Sequence, residues 1–393
     1  MIQHDVVIIG AGAAGMMCAI EAGKRGRTVI VVEHADKPGE KIRISGGGRC
    51  NFTNLHTRPD NFISANPHFA KSALKRYTQR DFIAWMDRQR IAWHEKTLGQ
   101  LFCDGPATQI VEALRAEMRS AGVGLRLGLS VVSHERDGEG WLVKLSDGSM
   151  LSCGSLVIAS GGKSIPKMGA TGFGYDVARR YGIAVTETRP ALVPLTFGPD
   201  ILERFKPIAG VAVDTVTRHG KTAFEEALLF THRGLSGPAV LQISSYWREG
   251  DEISISFQPG TDIFGVLRDA REDNGRQAIG TAMAAFLPKR LAQLLAGDCG
   301  LTGNLADQSD KKLRALEAWL RDWRIKPTGS EGYRTAEVTL GGVDTAELDS
   351  RTMEARNQKG LYFIGEVVDV TGWLGGYNFQ WAWSSGWSAG QAV

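Results

Sequence analysis

The chain has 393 residues, 43% of them hydrophobic and 23% charged, which fits a globular protein of two or three domains and excludes a disordered or fibrous one. Lys+Arg number 46 against 43 Asp+Glu, a formal charge of +3, too balanced for a dedicated nucleic-acid binder with a basic face. Glycine is in excess at 48 residues, without a collagen-like period, so it sits where the backbone needs positive φ or close approach to a ligand.

Val6–Ile9 is a β-branched run, the pattern of a strand buried on both faces. Gly10-Ala11-Gly12-Ala13-Ala14-Gly15 follows at once, Met16–Lys24 reads as helix, and Thr28–Val32 is a second buried strand ending in Glu33. This βαβ unit carries G-x-G-x-x-G at its first turn. Gly10 makes the turn, Gly12 lets a pyrophosphate approach the backbone, and Gly15 lets helix and strand pack closely. The N–H groups of Ala13, Ala14 and Gly15 at the helix start then face the phosphates. Glu33 is placed to accept both ribose hydroxyls. With both strands, the helix and the acid in register the fingerprint is a strong dinucleotide signal, with a ligand-free Gly-rich turn as its alternative, but alone it does not separate FAD from NAD.

A nicotinamide-binding unit would soon begin its crossover helix. Here the chain continues through Lys41-Ile42-Arg43-Ile44-Ser45-Gly46-Gly47-Gly48-Arg49-Cys50-Asn51. Gly46, Gly47 and Gly48 form a backbone that can lie flat on a planar ligand and present an N–H nest. Lys41, Arg43 and Arg49 add positive charge near a pyrophosphate and flavin.

At these residues the sequence resembles a family of flavoproteins that includes aminoacetone-oxidase-like and bile-acid 3-dehydro-reductase (BaiN-like) proteins, a branch of the glutathione-reductase-type FAD fold. The motifs are Gly10–Gly15 with Glu33, Ser45–Asn51, Ala159-Ser160-Gly161-Gly162, Thr231–Pro238, and Gly365–Asp369 followed by Gly375-Gly376-Tyr377-Asn378. They occur in order and span nearly the whole chain. Ser160 stands where such proteins usually carry Thr. The resemblance implies an α/β fold: a Rossmann-type FAD-binding domain with an inserted small β-barrel domain and a helical subdomain. The cofactor is non-covalent FAD, with NAD(P)H or oxygen as electron partner. It also implies that the strand at 129–133 lays a residue against the adenine. Val131 is chosen, with a plain core role as its alternative.

Residues 67–122 carry helical patterns, and Trp141–Leu145 pairs with the strand before it. Leu156–Ala159 is a buried strand ending in Ser160-Gly161-Gly162, where Gly161 lets the backbone pass near the cofactor. The glycines at 169–174 lack the dinucleotide spacing, so one such site is expected. Short strands run from Leu195 to Phe257, helices over Ala282–Leu295 and Lys311–Trp323, and strand again over Arg334–Leu340. The expected domains are 1–189 plus 351–393, 190–260 plus 324–350, and 261–323.

Gly360–Glu366 is a last strand of the main sheet, and helix is expected from Trp381. The resemblance implies that Asp369 binds the ribityl or phosphate region, with a helix or turn cap as its alternative, and that the N–H groups at 377–379 face the flavin N1/O2 edge. Gly365, Glu366, Asn378 and Phe379 are expected among the cofactor-binding residues. The catalytic expectation is a substrate between the 45–51 and 231–237 loops, with His232 moving a proton and Arg233 holding an anionic group. A structural turn is the alternative for both.

No apolar run reaches about 18 residues, the first residues lack a basic n-region, and the five cysteines contain no CxxC. The chain reads as cytoplasmic, with no membrane partner, no metal and no nucleic-acid partner. The function read from these residues is an FAD-dependent oxidoreductase of a small-molecule substrate. The alternative is a non-redox FAD-binding scaffold or an RNA-modifying flavoprotein.

Overall fold

The computed structural model describes residues 2–393, which divide into two units, one of residues 2–189 with 338–393 and one of residues 190–337. In the first, β1 (Ile2–Ile9) leads through α1 (Ala13–Lys24) to β2 (Val29–Val32). A kinked α2 (Glu40–Gly48) then precedes a three-stranded sheet of β3 (Asn51–Asn54), β4 (Trp93–Glu95) and β5 (Gln100–Cys103), with β5 in the middle. The chain returns through α3 (Thr108–Ser120), β6 (Gly124–Arg126), β7 (Val131–Asp137), β8 (Gly140–Leu145) and β9 (Met150–Ile158). It closes with β10 (Leu361–Phe363) and α4 (Tyr377–Gly390).

The main sheet runs β6-β2-β1-β9-β8-β7, with β10 also on β9. β6, β2, β1, β9 and β10 are mutually parallel, and Ile9 lies beside Val32 and Ile158, with Phe363 beside Ile158. Val6–Ile9 and Val29–Val32 supply the buried strands because β-branched side chains pack on both faces. The carboxyl ends of four strands therefore meet at one edge, where open α/β sheets bind ligands. α4 packs on α1 without intervening side chains: a Cβ on Gly386 would lie 2.4 Å from the Ala14 carbonyl oxygen.

The inserted unit is a seven-stranded antiparallel sheet in the order 323–325, 253–257, 212–219, 222–231, 234–236, 195–196, 329–330. Phe205, Phe230, Phe257 and Trp323 share its core. Six helices accompany it, at Pro199–Phe205, Pro238–Ser244, Ile263–Asn274, Ile279–Met283, Lys289–Asp298 and Asp310–Arg321. The expected helix over 282–295 is two, because Pro288 has no N–H and stands extended at ψ 130° before the second. Residues 338–350, grouped above with the β domain, belong to the first unit. Val343 N donates to Val367 O at 2.8 Å and Asp344 N to Ala184 O at 2.9 Å. Among the described residues no helix is long and apolar enough to cross a membrane, and no cluster of three metal-ligating side chains exists.

Candidate functional site

The first turn of the βαβ unit separates two uses of glycine. A Cβ on Gly15 would fall 2.0 Å from the Gly10 carbonyl oxygen, and one on Gly10, at φ +112°, 2.4 Å from that of Ala159. Those positions are fixed by packing. A Cβ on Gly12 would meet nothing within 4 Å. α1 has no side-chain cap and no acid in its first turn, so the N–H groups at Ala13–Gly15 remain for an anion. Gly161 is likewise open, while Gly365 packs on Ala14.

Glu33, at the end of β2, accepts from Ala11 N at 2.8 Å and Ala35 N at 3.0 Å, with His34 Nδ1 2.9 Å away. Both carboxylate oxygens are thus oriented beside the glycine turn with lone pairs left for a ribose. Leu129 N bonds to Glu33 O at 3.1 Å, which brings the chain leading to Val131 to the same edge. Val131 itself is half-buried against the core and pairs with Leu145. Glu33→Ala is expected to weaken FAD retention by about 1.5–3 kcal/mol, the range for a lost charged hydrogen bond. Flavin fluorescence during dilution of the holoprotein measures it, and unchanged retention would remove Glu33 from the cofactor.

The stretch at 40–48, expected as loop, begins as helix and breaks at Ser45 (ψ 149°), Gly46 (φ +58°) and Gly47 (φ +66°). A Cβ on Gly46 would press on Phe102 at 2.7 Å, whereas Gly47 has open space and Gly48 nearly so. The bare backbone at Gly47–Gly48 is the surface a planar ring can approach. Cys50 is fully buried, and burial pushes its thiol above the usual range.

Several expected cofactor contacts are engaged within the protein. Lys41 Nζ lies 2.5 Å from Glu366 Oε2 and 2.6 Å from Ser164 Oγ. Glu366 Oε1 accepts from Ser164 Oγ and Thr339 N, each at 3.0 Å. Arg49 donates to the Asp104 carbonyl. Asn378 clamps its own turn, accepting from Gly372 N at 2.8 Å and donating to Gly372 O at 2.9 Å. Phe379 stacks on Trp383 at 5.9 Å. Asp369 is 4% exposed and accepts from Ala65 N at 2.9 Å; burial pushes its carboxyl above the usual range. α4 starts at Tyr377, four residues earlier than expected, with Gly376 at φ +96° before it and no side-chain cap.

Sequence reasoning missed Ser160 as a site residue. Its hydroxyl is buried at the end of β9 with no partner, an orphan donor beside Gly161. The signal was the hydroxyl kept at that position. This orphan, the open Gly12, Gly47 and Gly161, and the uncapped α1 fit an extended dinucleotide carrying a flavin. Glu33, the α1 N–H groups and the 47–48 backbone would hold it.

In the inserted unit, His232 and Arg233 form the exposed turn between strands 222–231 and 234–236. Thr231 Oγ1 accepts from Arg233 N at 3.2 Å and Gly234 N at 3.1 Å, and Arg233 lies 3.8 Å from Glu331.

A family model described as HI0933-like protein Rossmann domain matches residues 4–392. A ribosomal RNA dihydrouridine synthase of Escherichia coli is 53% identical over 100% of this chain and 98% of that protein. One of Haemophilus influenzae is 44% identical over 98% of each. A 3-dehydro-bile acid delta(4,6)-reductase of Clostridium scindens is 28% identical over 100% of this chain and 99% of its own. The resemblance to bile-acid reductases thus holds at the level of the family, and the two more similar relatives carry another name. The expectation of no nucleic-acid partner is overturned by those two, both named for ribosomal RNA. A net charge of +3 is a sum over the whole surface and does not report local basic segments.

Proposed function

The chain belongs to the HI0933-like FAD-binding Rossmann family of oxidoreductases, and from that premise we propose that it is a ribosomal RNA dihydrouridine synthase using non-covalent FAD. The observation that carries the reading is 53% identity to such an enzyme over the full chain. The small-molecule reading rests on a relative at 28%. Both names describe saturation of a carbon–carbon double bond, so the common chemistry is read as alkene reduction with different substrates. Reduced FAD would supply the hydride that, with one proton, saturates the C5–C6 bond of uracil. NAD(P)H is the proposed source of those electrons. Glu33, the Ala13–Gly15 N–H groups and the 47–48 backbone bind and orient the cofactor. His232 donates the proton, and Arg233 holds an RNA phosphate.

The test is dihydrouridine in ribosomal RNA, measured by mass spectrometry of nucleosides from cells with and without the encoding gene. RNA from the deletion is expected to lose dihydrouridine, which the purified flavoprotein with NADPH restores. Equal dihydrouridine in both RNAs would sink the reading.

A further inference from the structure

The sheet of β3, β5 and β4 turns one face to the core through Phe52, Leu101 and Cys103, all fully buried. The other face carries side chains that are half-buried or exposed. Phe102 stands at its centre, opposite His94 on β4 and Asn51 on β3. The His94 and Phe102 rings are stacked at 6.2 Å with 19° between their planes. His94 Nδ1 is held by Asp104 Oδ1 at 2.6 Å, and the Lys96 ammonium lies 5.5 Å from the Phe102 ring centre. At the sheet's end, Leu98 on the β4–β5 turn is 59% exposed and Leu55, just past β3, 36%. The two segments are joined by Leu55 N to Gly99 O at 2.9 Å.

We infer that this face is a docking platform for unpaired RNA nucleotides flanking the target uridine. The inference rests on the ribosomal-RNA reading above. Three features favour RNA as the occupant. Aromatic rings standing out from a sheet are the means by which single-stranded bases are stacked. Lys96 and the exposed Arg49 border the rings with positive charge, complementary to phosphates, and the adjacent Asp104 is engaged by His94. The platform is also continuous with the flavin-side loop, since Phe102 is the residue against which Gly46 packs. Apolar Leu55 and Leu98 extend the same surface for a further base.

The experiment uses the FAD-loaded protein, ribosomal RNA from the deletion strain, and excess dithionite as reductant. Phe102→Leu is expected to raise KM for the RNA about 10-fold with kcat within about twofold, from loss of one stacked base. Lys96→Ala is expected to raise KM about threefold, and by less at high salt. Both variants are checked for flavin content, and because Lys96 is exposed, that variant keeps the test open if Phe102→Leu misfolds. Unchanged KM in folded variants, with wild-type activity intact, would overturn the platform and leave the ribosomal-RNA reading standing. No dihydrouridine from the wild-type protein would bring down both. Self-association that is lost in the variants while KM stays unchanged would assign the face to a second copy of the chain, which also overturns it.

Discussion

Gly15→Ala is expected to give a protein that neither retains flavin nor keeps its native melting temperature, whereas Gly12→Ala keeps the fold and loses cofactor affinity alone. At Gly15 the new methyl would lie 2.0 Å from the Gly10 carbonyl oxygen, and both atoms are fixed by backbone. The strand and helix of the βαβ unit must separate, at a cost of about 3 kcal/mol or more. Gly12 stands at φ −82°, which alanine adopts freely, and its Cβ meets nothing. Stability there should stay within about 1 kcal/mol, on the favourable side if anything. The methyl would occupy the side from which a pyrophosphate approaches, so FAD affinity should fall on the order of 10-fold, about 1.4 kcal/mol. Thermal unfolding and flavin titration of the two variants, run together, check both halves. Flavin loss at Gly12→Ala comparable to that at Gly15→Ala, with equal unfolding, would show that Gly12 too is a packing residue.

His232→Ala is expected to lower the rate of dihydrouridine formation about 100-fold or more, the range for removing a general acid, while leaving flavin content and its absorption spectrum unchanged. His232 is exposed at a turn that Thr231 holds by itself, through its bonds to Arg233 N and Gly234 N. Truncating the ring therefore leaves the turn intact, and a loss of rate would report chemistry. Unchanged turnover would return His232 to a structural turn.

Much of the dinucleotide unit was legible in sequence because its signals are local. Val6–Ile9 and Val29–Val32 are β-branched runs, and glycine spacing fixes the turn between strand and helix. What glycine does at each position was not legible. Gly46 packs on Phe102 and Gly47 faces open space, although they are identical neighbours in the sequence. The reach of charged side chains was hidden for a different reason. Lys41 and Glu366 are 325 residues apart and meet only once β10 is in the sheet, so each looked free for the cofactor. The start of α4 was misjudged because its aromatic residues mask the glycine pair that opens it. The expectation of no nucleic-acid partner went wrong because a charge total has no spatial content, whereas residues such as His94 and Phe102 come side by side only through strand pairing.

The closure of the first unit has a consequence for biogenesis. β9 is complete at Ile158, but its parallel neighbour β10 begins at Leu361, about 200 residues later, and α4 later still. At ribosomal speeds of about 5–20 residues per second, that interval lasts roughly 10–40 s. Throughout it, the side of α1 that Gly386 and Gly390 will cover, at Ala14 and Cys18, is bare on the nascent chain. The inserted unit emerges whole during that wait. Flavin loading therefore belongs to the end of synthesis, and a nascent chain that has passed residue 337 carries the whole insertion while the α1 surface at Ala14 and Cys18 is still uncovered.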